Sequence, residues 1–589
     1  MTAIQDYQYR PLANDDNTRF IQLYPAAHFE DPIRVDIVER AYDASKTQDP
    51  VSYEALSYAW GSDEDSAYIF VGANSRLRVR HNVTQILRYL RDGMTPGCTA
   101  RTLWIDAICI NQADDVEKGK QVTVMGKLYA CATSVLIWTG EPGCDLQALQ
   151  RSLEGKDPYT REGRLPPRFT QFFETGWFTR RWVVQEIMHA REAYIISGSG
   201  TMQWQQFRVF VEHLEPSIPY SAVTPQFTAI LHHLSNITAV RYTESDKLSQ
   251  CDEDTTVAQT DRIAARAENM TTLLTRYSAT RCADDRDRIY ALRSLSSTPI
   301  PVDYQISANE LYVHLSQTEV TQYPMAIMSC AGSFGVFAAS WIPDWRSRMR
   351  YRPFQSSLKK ACPTLPVGGS LVTVANNLLT IQASFGGVVD SVVDPPGPDF
   401  ETEERTLYRW GNYFIQHHAI GTPEQKSMDA MTLYCALKVI PIEDDVADPH
   451  PSPYRAQLRS RWENILRRWN SYEKENRKRK LILRLLSEAN RIGLAHTKEG
   501  RSCFFTSAGL FGLGPDTIQV GDYVVNMPGC DSMMALRPLK IEQDIKQVEG
   551  NMGPPQHPAM TVVGDCWIPE LIKSNRQNAA SNLHKFHIV

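Results

Sequence analysis

The sharpest chemical feature of the sequence is the segment 177–187, WFTRRWVVQEI, which sets a single carboxylate, Glu186, among Val183, Val184, Ile187 and Met188. A carboxylate on an otherwise apolar helix face is costly to bury unless something partners it. Two readings follow. Glu186 forms a structural ion pair with Arg180 or Arg181, or it is an acid whose ionisation is adjusted for catalysis. Trp182 lies four residues before Glu186 and shares its face, and Arg181 and Gln185 make a second such pair beside it. A second feature is Asp106, which closes the apolar run 103–105 and opens the loop 107–117, AICINQADDVE. An acid at the carboxyl end of a buried strand faces the crevice where open α/β sheets bind ligands. In that loop Asn111 and Gln112 can hydrogen-bond a ribose or a base, or equally cap the next helix. Cys109 reads as a buried core thiol rather than a nucleophile, since no histidine is near it in sequence. Tyr58 and Trp60, in YEALSYAWG at 53–61, supply aromatic faces at another strand end, for stacking on a ring ligand or for anchoring the core.

Other chemistries are excluded or weak. There is no G-x-x-x-x-G-K-[ST] phosphate loop and no H-E-x-x-H. The pairs His232-His233 and His417-His418 cannot share one helix face and read as surface residues. Residues 331–335, AGSFG, fall one position short of a nucleophile elbow and read as a turn. The run 477–480, RKRK, reads as a solvated helix face.

The elements that must carry these residues alternate. Residues 19–24 and 33–40 have the period of strands, 68–71 and 77–79 that of a hairpin, and 81–91 that of a helix. The wholly apolar runs 103–105 and 134–138 are separated by a helical stretch at 118–130, then come a helix over 169–189 and a strand at 193–197. Apolar strands alternating with helices predict a parallel sheet buried on both faces, with 103–105 and 134–137 as central strands. Residues 203–295 are mainly helical in pattern. Beyond 300, short β-like runs dominate, broken by a helical insert at 454–491.

The chain has 589 residues with a formal net charge of -5, long enough for several domains and without the basic excess that whole-molecule nucleic-acid binding needs. The 12 cysteines contain no C-x-x-C pair and read as reduced thiols. No apolar run approaches the roughly 20 residues of a membrane span, and no secretory segment opens the chain. These features predict a cytoplasmic protein with no membrane span, no metal and no cofactor.

Four segments, YEALSYAWG, LWIDAICINQADD, QVTVMGKLYACATSVLIWTGEP and WFTRRWVVQEI, resemble in this order the heterokaryon incompatibility (HET) domain of filamentous fungi. DDRDRIYAL, PVDY, SWIPDW and GLGPDTIQVGDYVV, farther along, resemble the remainder of such proteins. The resemblance implies a role in allorecognition and programmed cell death. The HET domain is itself distantly similar to the Toll/interleukin-receptor (TIR) domain, which implies a flavodoxin-like parallel sheet. WVVQEI resembles the tryptophan-x-x-x-glutamate helix of enzymatic TIR domains, in which the glutamate hydrolyses NAD. By position that residue is Glu186, with Tyr58, Trp60, Asp106, Asn111, Gln112, Trp182 and Gln185 as substrate-binding candidates. The loop after Asp106 lacks the usual TIR glycine pattern.

The expected organisation is an N-terminal β leader, 1–52, packed on a HET domain at 53–200. A helical segment at 201–299 and a β-rich region at 300–589 follow. Three functions compete: an NAD hydrolase dependent on self-association, a non-catalytic scaffold acting through HET–HET contacts, and a metabolic enzyme reusing the fold. The partners they imply are a second copy of the chain, an incompatibility partner protein, or NAD as ligand.

Overall fold

The computed structural model describes residues 4–43, 51–61, 65–91, 100–140, 175–198, 200–214, 267–331, 339–346, 371–375, 377–392, 500–528, 532–539, 558–566 and 583–589, with a few isolated positions between. The expected insert 454–491, both histidine pairs, the basic run and residues 332–335 lie outside the described residues. Two compact units divide the chain, Met1–Ala308 and Asn309–Val589.

Among its described residues the first unit holds ten strands: β1 (Gln5–Asp6), β2 (Asn17–Leu23), β3 (Arg34–Ala41), β4 (Glu54–Tyr58), β5 (Ser66–Val71), β6 (Ser75–Arg80), β7 (Arg101–Trp104), β8 (Ser134–Trp138), β9 (Ala193–Ser197) and β10 (Gly200–Gln203). They form one sheet in the order β1-β6-β5-β3-β2-β7-β4-β8-β9-β10. Strands β7, β4, β8 and β9 are mutually parallel. Strand β8, SVLIW, is buried at every position, as a strand covered on both faces must be.

The sheet departs from the expectation of an all-parallel array. It is mixed, because β2 runs antiparallel to β7 and β10 antiparallel to β9. The N-terminal strands join the same sheet edge to edge: Ile21, Gln22 and Leu23 pair with Leu103, Thr102 and Arg101. Sequence patterning gives the existence of a strand and not its neighbour, and β2 and β7 lie far apart in the chain. The two runs expected to be central, β7 and β8, flank β4 inside the sheet.

Among the described residues the helices of this unit are α1 (His81–Arg91), α2 (Asp106–Cys109), α3 (Asp115–Cys131), α4 (Trp182–His189), α5 (Trp204–Leu214), α6 (Met270–Arg276) and α7 (Asp287–Tyr290). Helix α3 starts where Asp114 caps it, accepting from the backbone N–H of Val116 at 3.0 Å and Glu117 at 3.1 Å. The helix expected over 169–189 is broken among its described residues: a 3-10 turn, Gly176–Thr179, precedes α4, with Arg180 extended between them. A backbone bridge causes the break, since Arg281 N–H donates to Thr179 at 2.7 Å and Arg181 N–H to Arg281 at 2.8 Å.

The second unit carries α8 (Ala308–Glu319) and α9 (Pro324–Cys330), then β11 (Val372–Ala375), β12 (Leu378–Val392), β13 (Arg501–Thr506), β14 (Phe511–Pro515), β15 (Tyr523–Asn526), β16 (Met533–Pro538), β17 (Met560–Cys566) and β18 (His584–Ile588). The pairings run β12–β15–β16–β17–β18 and return to β12, so these strands close on themselves. Strand β12 serves four partners, and its register shifts between Phe385 and Gly387, where Gly387 takes φ 131°. Inside lie Ile381, Val525, Met534, Leu536 and Phe586, all fully buried. Among the described residues no helix is long and apolar enough to cross a membrane.

Candidate functional site

Glu186 sits in the middle of α4 with only 1% of its surface exposed. Ser57, a hydroxyl in the otherwise apolar end of β4, donates to Glu186 Oε2. Trp177, on the turn before α4, donates from Nε1 to Ser57 Oγ at 2.8 Å. Arg180 Nη1 lies 3.8 Å from Glu186 Oε1 and also donates to the Tyr58 carbonyl. Burial pushes the Glu186 carboxyl up to about 7; Arg180 and the Ser57 hydrogen bond pull it down, and Asp106 pushes it up further.

Asp106 follows β7 and is also buried. Its Oδ2 accepts from Trp60 Nε1 at 2.9 Å and its Oδ1 from the Ala107 N–H at 2.8 Å. Burial raises its pKa, opposed by Arg180 and these donors. The Arg80 guanidinium lies 4.5 Å from the centre of the Trp60 ring. The Tyr58 hydroxyl is buried, and burial with Asp106 beside it holds it well above its usual pKa. Gln112 Nε2 donates to the Asp106 carbonyl at 3.0 Å, and Asn111 Oδ1 accepts from the Ala113 N–H at 3.3 Å. Both amides serve their own loop, while Asp114 takes the capping role. The Cys109 thiol is fully buried and pushed up to about 12, which removes it as a nucleophile.

The remaining α4 residues are tied to the segment 277–304 instead. Arg181 is buried and donates to the carbonyls of Arg288 and Tyr277 at 3.0 Å each, so it is not the partner of Glu186. Trp182 Nε1 donates to Asp287 Oδ2 at 3.2 Å, and Tyr304 donates to Asp287 Oδ1 at 2.7 Å. Gln185 Oε1 accepts from Ser294 Oγ at 2.7 Å, and the same hydroxyl lies 2.9 Å from His189 Nε2. Burial lifts Asp287 to about 6 and drops His189 to about 4.

The structure thus brings Glu186, Asp106, Tyr58 and Trp60 to the carboxyl ends of β4 and β7, joined by Arg180. It does not bring Trp182, Gln185, Asn111 or the Gln112 amide to the Glu186 carboxyl. Sequence reasoning missed Ser57 and Trp177. The available signal for Ser57 was a lone hydroxyl in EALSY, the strand that ends at the candidate aromatics. It also missed Asp287 and Tyr304, whose segments stood out with no role attached. Among the described residues, this geometry can hold a proton near neutrality on Glu186 and set two carboxylates around one guanidinium.

Residues 53–186 match the family model described as "Heterokaryon incompatibility protein (HET)". The chain is similar to the protein described as "Heterokaryon incompatibility protein 6, OR allele" of Neurospora crassa, with 21% identity over 651 aligned residues covering 90% of this chain and 92% of the relative. No solved structure matches the chain.

Proposed function

We propose that this heterokaryon incompatibility (HET) domain protein acts in fungal allorecognition and programmed cell death, and that its HET domain hydrolyses NAD at the nicotinamide–ribose bond. The first part is supported by the family match and by the Neurospora crassa relative, which is named as an incompatibility protein. The second part is carried by one observation. Glu186, its carboxyl pushed up to about 7, shares Arg180 with Asp106 at the carboxyl ends of β4 and β7. The parallel strands β7-β4-β8-β9, read in chain order, run 2-1-3-4. That order supports a flavodoxin-like, TIR-like reading, in which ligands bind where the order reverses, beside β4.

In the proposed reaction the C1′–N1 bond breaks and its electron pair leaves on nicotinamide. Water then adds to C1′ and loses a proton. The ionised Glu186 stabilises the oxocarbenium character of C1′, as carboxylates do in glycoside cleavage. Tyr58 and Trp60 would flank the ring systems, and Asp106 would hold a ribose hydroxyl or fix the loop. The test is nicotinamide release from NAD by the purified chain. Glu186→Gln is expected to lower it by about a hundredfold or more with the fold intact, and Asp106→Asn by less. An active parent with an equally active Glu186→Gln variant removes Glu186 from the mechanism.

A specific observation favours a second reading, a non-catalytic module working through HET–HET self-association. Glu186 is 1% exposed, and both of its oxygens are engaged, by Ser57 and Arg180. This reading expects no nicotinamide release at any protein concentration, together with concentration-dependent self-association in sedimentation.

A further inference from the structure

Trp177 and Ser57 form a hydrogen-bonded chain that ends on the Glu186 carboxyl. An indole N–H can only donate, and Trp177 Nε1 lies 2.8 Å from Ser57 Oγ. Ser57 accepts from Trp177 and, when the carboxyl is ionised, donates to Glu186 Oε2. Trp177, Ser57 and Glu186 are all buried, so water does not compete for these bonds. Oε1 faces Arg180 at 3.8 Å, an ion-pair distance too long for a direct hydrogen bond. Oε2 of the ionised carboxylate thus meets a donor whose place is fixed by Trp177, and Oε1 faces a cation.

We propose that Ser57, oriented by Trp177, is the positioning residue of Glu186: it fixes the carboxyl group and favours its ionised form. Its catalytic meaning rests on the NAD-hydrolysis reading above. A hydroxyl donating to a carboxylate favours the ionised form, which opposes the effect of burial. Ser57 thereby holds Glu186 closer to the charged state that stabilises an oxocarbenium ion. The other titratable or charged groups that act on this carboxyl are Arg180 ahead of α4, Asp106 at the end of β7 and Tyr129 on α3. All three stay unchanged in the variants that test the idea.

The experiment needs no substrate. Urea midpoints of the full chain are measured from pH 5 to pH 9 for the parent, Ser57→Ala and Trp177→Phe, each with and without Glu186→Gln. Within each pair the difference isolates the titration of Glu186. Ser57→Ala is expected to move that titration upward by about one pH unit, and Trp177→Phe to move it upward by less, since the hydroxyl then loses its orientation. Titrations that coincide with the parent's in both variants overturn the proposal. If Ser57→Ala does not fold, the Trp177→Phe pair decides alone, and an unmoved titration there overturns it. Failure of the NAD reading appears separately, as absence of nicotinamide release by the parent.

Discussion

At the residue scale, Glu186 is the group whose environment departs most usefully from water. Its carboxyl sits near 7 in the folded chain against an ordinary 4.5, with burial as the main cause. Between these values the unfolded chain has lost the proton and the folded chain keeps it. The folded state binds more protons there, so stability falls as pH rises from about 4.5 to about 7. The loss amounts to about 3 kcal/mol when complete. Glu186→Gln cannot titrate. We expect its stability relative to the parent to climb by about 3 kcal/mol across that window and then stay level. Asp287 and His189 titrate in the same range with opposite signs, but both are present in the two proteins and cancel in the comparison. Chemical denaturation in a pH series checks this, and a flat difference refutes it. The sequence already marked Glu186 as a carboxylate on an apolar face. It left the partner open between Arg180 and Arg181, because adjacent residues differ by 100° around a helix and only the bridge to Arg281 decides where the helix starts.

At the scale of elements, α4 is held from two sides. Ser57 on β4 engages one side, and the 277–304 segment engages Arg181, Trp182, Gln185 and His189. Trp182 is half-buried, so its worth lies in the hydrogen bond to Asp287 more than in a core cavity, contrary to what its place in an apolar run suggests. Trp182→Phe is expected to cost about 1–2 kcal/mol, and most of that cost should vanish in an Asp287→Asn background. Arg181→Met should cost more, about 3 kcal/mol, because it leaves the buried carbonyls of Tyr277 and Arg288 without their donor. Equal effects of the two substitutions would mean that the guanidinium carries no share of the attachment. Strands β4, β7 and β8 were legible as apolar runs bounded by turns. Their neighbours were not, since a register with β2 or with the 281 bridge is set by residues distant in sequence, and short-range periodicity carries no such information.

At the scale of the whole molecule, the matched residues 53–186 are expected not to fold as an isolated piece, because their contacts reach beyond both ends. Cutting before 53 removes β2 and leaves β7 with unpaired backbone groups along Leu103, Thr102 and Arg101. Cutting after 200 removes Asp287, Ser294 and the carbonyls that hold Arg181. The compact unit Met1–Ala308 retains both supports. A fragment of residues 1–308 is therefore expected to unfold in one cooperative thermal transition, with near-ultraviolet circular dichroism from its packed tryptophans. A fragment of residues 53–200 is expected to lack that transition and to aggregate through the bared edge of β7. Adding back only the N-terminal strands, as residues 1–200, should cure the aggregation but leave α4 unfastened, with Trp177 and Trp182 more open to fluorescence quenching than in the longer fragment. Native-like cooperativity in the 53–200 fragment would show that the flanking segments decorate the domain rather than complete it.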